Sequence, residues 1–165
     1  MNIAIYRMHE DVILPTKRDE DGCYDLYAYF EEPAFTIPSG TIKLIPTGIK
    51  SAFDKKRRIA FRERGSNTKT GLILMSGQID SGYRGEWFIA VYNTNNKDVI
   101  IAKRATEIVE FSTNDKEFLI IPYTKAICQF AIEQVPQDSI RECTLEELEN
   151  YKSERGSGKL GSSGK

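Results

Sequence analysis

The strongest constraint on this chain is its punctuation. In the first part, short runs rich in β-branched and aromatic residues (3–7, 24–30, 35–37 and 42–45) are separated by Pro15, Asp21-Gly22, Pro33, Pro38-Ser39-Gly40 and Pro46-Thr47-Gly48. The rhythm continues through 58–62, 71–75, 86–93, 99–103, 107–111, 118–122 and 127–135. Helical periodicity is absent from the first fifty residues, and proline and glycine end each run where a strand ladder cannot continue. Many short strands without intervening helices imply an all-β barrel or jelly roll and argue against an alternating α/β sheet.

Residues 86–93 stand out among these runs. Trp87, Ile89 and Val91 fall on one face and Phe88, Ala90 and Tyr92 on the other, so neither face suits water. Such a strand is covered twice, by a subunit interface on one side or by a single large core. One helix is expected over 145–151, where Thr144 can cap and Glu147 stands at the capping-box position. The segment 153–165 is rich in Gly and Ser and reads as a flexible arm, with residues 1–152 as one barrel domain.

With 165 residues, 40% hydrophobic, the chain can bury one real core. A net charge of −1 gives no general attraction to nucleic acid or to an anionic membrane. Cys23, Cys128 and Cys143 are widely spaced and unpaired in pattern, and no run approaches a membrane span. The expectation is a soluble protein of the reducing cytoplasm. A single histidine, His9, argues against His-based metal sites and Ser-His or Cys-His nucleophiles.

Four polar stretches interrupt the strands: 21–28 (DGCYDLYA), 63–67 (ERGSN), 77–85 (GQIDSGYRG) and 154–164 (ERGSGKLGSSG). Two share Arg-Gly-Ser, in which a planar fork of donors, exposed backbone amides and a hydroxyl together suit phosphate oxygens. Asp25 and Asp80 sit in otherwise apolar or Gly-rich settings. Their company suggests phosphate chemistry, with one carboxylate near a magnesium ion and the other polarising water.

In order and content these stretches resemble the five motifs of the trimeric deoxyuridine triphosphatases, of the phage and bacterial type with an insertion between the third and fourth motifs. The residues that carry the resemblance most specifically are 79–86 (IDSGYRGE) and 155–164 (RGSGKLGSSG). The resemblance implies a distorted jelly-roll barrel, a homotrimer with shared active sites, Mg2+ as cofactor, and hydrolysis of dUTP to dUMP and pyrophosphate. It implies Asp80 as the base for the attacking water, and Tyr83 packed under the deoxyribose. Backbone groups of 76–83, Gly77 and Ile79 among them, would read uracil, and Asp25 would hold a water of the magnesium ion. Arg64, Gly65, Ser66 and Gln129 would bind phosphate. From the arm, Arg155, Leu160, Gly161, Ser162 and Ser163 would close over the nucleotide of a neighbouring subunit.

Some positions depart from the family pattern. Leu160 stands where the arm usually carries a Phe that stacks on uracil, leaving Trp87 or Phe88 as substitute aromatics. The second motif is one residue short, and the fourth carries Lys125-Ala126. The stretch 94–123 is long and reads as containing an inserted hairpin arm, which could engage a regulatory protein partner. A regulatory dUTP-binding protein is therefore one alternative, and the dCTP deaminase branch of the same fold is another. The latter requires a Glu on the strand after the third motif, where 89–93 offers none.

Overall fold

The computed structural model describes residues 3–75, 77–104, 117–154 and 156–157. Twelve strands are described: β1 (Ala4–Arg7), β2 (Tyr24–Leu26), β3 (Ala34–Ile37), β4 (Ile42–Pro46), β5 (Ile49–Ala52), β6 (Arg57–Arg62), β7 (Leu72–Leu74), β8 (Gln78–Asp80), β9 (Phe88–Asn93), β10 (Asp98–Ala102), β11 (Phe118–Pro122) and β12 (Cys128–Gln134). They form four sheets, ordered β1-β5, β11-β10-β3, β2-β12-β6-β8 and β4-β9-β7. Among the described residues only α1 (Leu145–Glu149) is α-helical, and Thr144 caps it by accepting from the Glu147 amide at 3.2 Å. The all-β expectation with one short helix near the C-terminus holds.

One core joins the sheets. Leu26, Ile37, Ile45, Ile49, Ile59, Trp87, Ile89, Val99 and Ile101 lose all contact with solvent and belong to a single cluster. Trp87 anchors it, edge-on to Phe130 with ring centroids 5.4 Å apart, and its indole N–H donates to Ser51 Oγ at 3.1 Å. A buried indole needs such a partner, which is why the short β5 carries an inward serine. Gly48, at φ +66°, makes the turn into β5; a Cβ there would lie 2.5 Å from Val12 Cγ2.

Burial distinguishes the two faces of 86–93. Trp87, Ile89 and Val91 face the core, whereas Phe88 is 38% exposed on the opposite side of β9. The register adds neighbours to that outer face, with Ile42 and Ile73 opposite Tyr92 and Leu44 opposite Ala90. Ile42 is 55%, Leu44 58% and Ile73 49% exposed. The result is an apolar outer face on the β4-β9-β7 sheet. Trp87, being wholly buried, cannot serve as a substitute lid aromatic.

The region 94–123 differs from a simple added arm. β10 is built into the sheet against β3, and β11 pairs with β10 in parallel, Asp98 opposite Phe118 and Ala102 opposite Pro122. Both strands are therefore part of the body. The expected hairpin turn falls at 105–116, outside the described residues.

Candidate active site

The site is organised by the β2-β12-β6-β8 sheet. In it Asp25 pairs with Gln129 and Gln129 with Arg62, so these three share one row and one outer face. Arg64, just past the end of β6, reaches back to Asp25 through two parallel bonds: Nε donates to Oδ1 at 2.8 Å and Nη2 to Oδ2 at 3.0 Å. Its Nη1 donates to Ser66 Oγ at 3.1 Å. The guanidinium has five N–H groups, so after these three bonds two remain for an incoming anion. Bidentate pairing fixes the plane of the fork as well as its position.

The short second motif closes into a 3-10 turn, Gly65–Asn67. Buried Asn67 ties this turn to the fourth motif by donating to the Ile127 carbonyl. Gln129 is held in turn, its Nε2 donating to the Glu63 carbonyl at 2.8 Å. Asp25, Arg64, Gly65, Ser66 and Gln129 line one cleft of about 790 Å3, walled on the far side by Thr16, Lys17, Arg18, Asp21, Gly22 and Cys23. Three segments far apart in sequence, around 16–25, 64–66 and Gln129, thus meet at a polar, cation-bearing cleft suited to phosphate.

The third motif lies elsewhere. Asp80 ends β8, which pairs with β6 so that Asp80 stands opposite Arg58, while the cleft lies at the Arg62 end. Four residues of β6 separate the two rows, roughly 13 Å along the strand, and three strand spacings separate β2 from β8, roughly 14 Å. Asp80 is exposed, and so is Tyr83. The Tyr83 amide donates to the Asp80 carbonyl at 3.0 Å, closing the turn. The Tyr83 hydroxyl donates to the Glu86 carbonyl at 2.8 Å, and a Cβ on Gly85 would lie 2.4 Å from that hydroxyl. Gly85 therefore lets the ring lie flat along the hairpin. Ile79 points into the core opposite Ile59, so only its backbone faces outward. Gly77 offers its carbonyl to the Phe61 amide at 2.6 Å.

Sequence reasoning missed Thr16, Lys17 and Arg18 in the wall, where Arg18 makes a two-bond ion pair with Asp21 of the 21–28 stretch. It also missed Arg58, Arg62, Gln78 and Glu133, whose side chains line the outer face between the cleft and Asp80. The signal for that face was alternation, since Arg58, Ala60 and Arg62 on β6 and Gln129, Ala131 and Glu133 on β12 are period-two sets. Arg155, Leu160, Gly161, Ser162 and Ser163 lie outside the described residues. Among the described residues no three His, Cys, Asp or Glu side chains converge to hold a metal ion, and no helix is long and apolar enough to cross a membrane.

Comparison with known proteins agrees with this geometry. The dUTPase family model matches residues 10–108. The chain is 30% identical to the deoxyuridine 5'-triphosphate nucleotidohydrolase of Dictyoglomus turgidum, over 99% of each chain. It is 37% identical over 89 residues to part of the Pol polyprotein of the ovine maedi visna related virus, an overlap of 54% of this chain but 8% of that polyprotein. In fold it is similar to the Staphylococcus bacteriophage 80alpha dUTPase G164S mutant with dUpNHpp, with a TM-score of 0.74 over 99% of both chains at 19% identity. By family model and full-length relative, this chain belongs to the dUTPase family.

Proposed function

We propose that this dUTP diphosphatase, which hydrolyses dUTP to dUMP and pyrophosphate, builds its active sites between copies of itself, with the phosphate cleft of one copy facing Asp80 of another. The observation that supports this is the separation of the two parts within one chain. A base and a phosphate clamp acting on the same phosphorus must lie within a few ångströms, and here they stand at opposite ends of one sheet face. The apolar outer face of the β4-β9-β7 sheet is the kind of surface another copy covers, in a homotrimer.

In this reading Asp80 accepts a proton as water attacks the α-phosphorus. The bond from that phosphorus to the α,β-bridging oxygen breaks, and pyrophosphate leaves. The two spare N–H groups of Arg64, the Ser66 hydroxyl and Gln129 hold phosphate oxygens and offset the charge that develops on the leaving group. Tyr83, pinned along its hairpin, packs against the deoxyribose where a 2′-hydroxyl would clash. Arg155, Ser162 and Ser163 of the arm would cover the phosphates, with Leu160 and Gly161 over the base.

The donor set fits magnesium held indirectly. Mg2+ commonly takes few protein carboxylates, keeping waters and substrate phosphates as its other ligands. Each oxygen of Asp25 accepts one bond from Arg64 and keeps a lone pair for a water of such an ion. When bound, the ion supplies positive charge to the triphosphate.

Subunit mixing tests the composite site. Asp80→Asn alone should bind a nonhydrolysable dUTP analogue normally and lose about 10²–10⁴ in rate, the usual contribution of general-base catalysis. Arg64→Ala should also be inactive. Co-refolded in equal amounts, the two variants should recover about a quarter of wild-type activity, because sites that draw each residue from a different copy include intact ones. No recovery would place both residues in a single-chain site, and an active Asp80→Asn would remove the assigned base.

A further inference from the structure

We infer that Gln78, backed by Arg58, is a positioning residue that aims the Asp80 carboxylate; this rests on the reading of Asp80 as the base. Gln78 and Asp80 are two residues apart on β8 and so share its outer face, and the antiparallel register sets Arg58 of β6 directly opposite Asp80. Hydrogen bonds run outward from Arg58 through these side chains, to Glu133 on one side and through Gln78 to Asp80 on the other. Arg58 Nε donates to Glu133 Oε2 at 2.9 Å, Arg58 Nη1 donates to Gln78 Oε1 at 3.4 Å, and Gln78 Nε2 donates to Asp80 Oδ1 at 2.8 Å. Arg62 holds the other Glu133 oxygen, so that carboxylate is clamped between two guanidinium groups and in turn fixes Arg58.

The order of partners sets the orientation of the amide. Arginine can only donate, so the amide oxygen of Gln78 faces Arg58 and its NH2 group turns toward Asp80. With Oδ1 occupied by that donor, Oδ2, for which the described residues supply no donor, is the oxygen left to accept a proton from water. No ion pair joins Arg58 to Asp80 although the two are register partners. The interposed neutral amide orients the carboxylate without placing a cation against the oxygen that must react.

Gln78→Met keeps the length of the side chain and removes the donor. The expected result is a fall in kcat of about tenfold, the size of one hydrogen bond to a charged group at a solvent-facing site. KM and the Kd of a nonhydrolysable dUTP analogue should stay within about twofold, the signature of an interaction realised in the transition state. Arg58→Leu should lower kcat by about threefold alone and by nothing further in the Gln78→Met background, because it acts through the amide. An unchanged kcat in Gln78→Met, or a loss matched by equally weakened analogue binding, would overturn the inference. Asp80→Asn measured alongside separates the two levels. If that variant turns over, the base assignment falls; if it is inactive while Gln78→Met is fully active, only the positioning role falls.

Discussion

Arg64 shows how a single residue type is selected. Its fork spans both oxygens of Asp25, the Ser66 hydroxyl and open space in the cleft at once. Lysine, with one ammonium on a flexible stem, cannot hold that plane. Arg64→Lys should therefore raise KM for dUTP by about tenfold to a hundredfold, the loss of one or two charge-assisted hydrogen bonds, in steady-state kinetics. The residue types were readable in sequence, but the pairing was not, because Asp25 and Arg64 are far apart along the chain and nothing local to either marks the other. Thiol chemistry gives a second test. Cys128 lies in the core beneath the cleft and burial pushes its thiol up, while Cys143 is exposed. A maleimide should label Cys143 in the folded protein and leave Cys128 untouched until denaturant is added, as mass spectrometry of the labelled peptides would show.

Among elements, the β6–β12 pair carries a pH-dependent tie. The hydrogen bond from Arg58, with the charge of Arg62, holds the Glu133 carboxyl below its ordinary value of 4.5. A depressed carboxylate stabilises the fold at pH above that ordinary value, and the contribution is lost as pH falls through the folded value. Urea midpoints measured from pH 6 to pH 3 should fall less steeply for Glu133→Gln than for the native chain. Asp21, paired with Arg18, and Glu147, paired with Arg141, act with the same sign elsewhere on the surface. Most strands were legible because β-branched runs and turn residues alternate so regularly. β5 and β8 were not, since Ile-Lys-Ser-Ala has a single large apolar residue and Gln-Ile-Asp is too short to show a period. Both earn their place through tertiary partners, Ser51 for the indole of Trp87 and Ile79 for Ile59.

At the scale of the whole molecule, the two-sided apolarity of 86–93 was visible in sequence, yet only burial separates its core face from its outward one. A charge on the outward face should disrupt association while leaving the barrel folded. Leu44→Asp should shift the protein from oligomer to monomer by light scattering, with turnover falling in parallel and the circular dichroism spectrum unchanged. Of the four polar stretches legible by composition, folding brings two, 21–28 and 63–67, together in the cleft, where Gln129 joins them. The remoteness of Asp80 was not legible, because no sequence pattern states how far along β6 its partner sits.

The parallel pairing of β10 and β11 sets a rule for the chain between them. Because both strands point the same way, the backbone must return from Ala102 to the opposite end of the ladder before Phe118 can begin, roughly 13 Å of travel. A two-residue turn is too short to make that trip, so trimming 103–117 to such a turn should peel β11 away, since a parallel crossover takes about a dozen residues or more. There is a minimum length here but hardly a maximum, for each doubling of a loose connection costs only about 0.6 kcal/mol. This makes the junction a place where extra sequence can be spliced in at little expense to the fold.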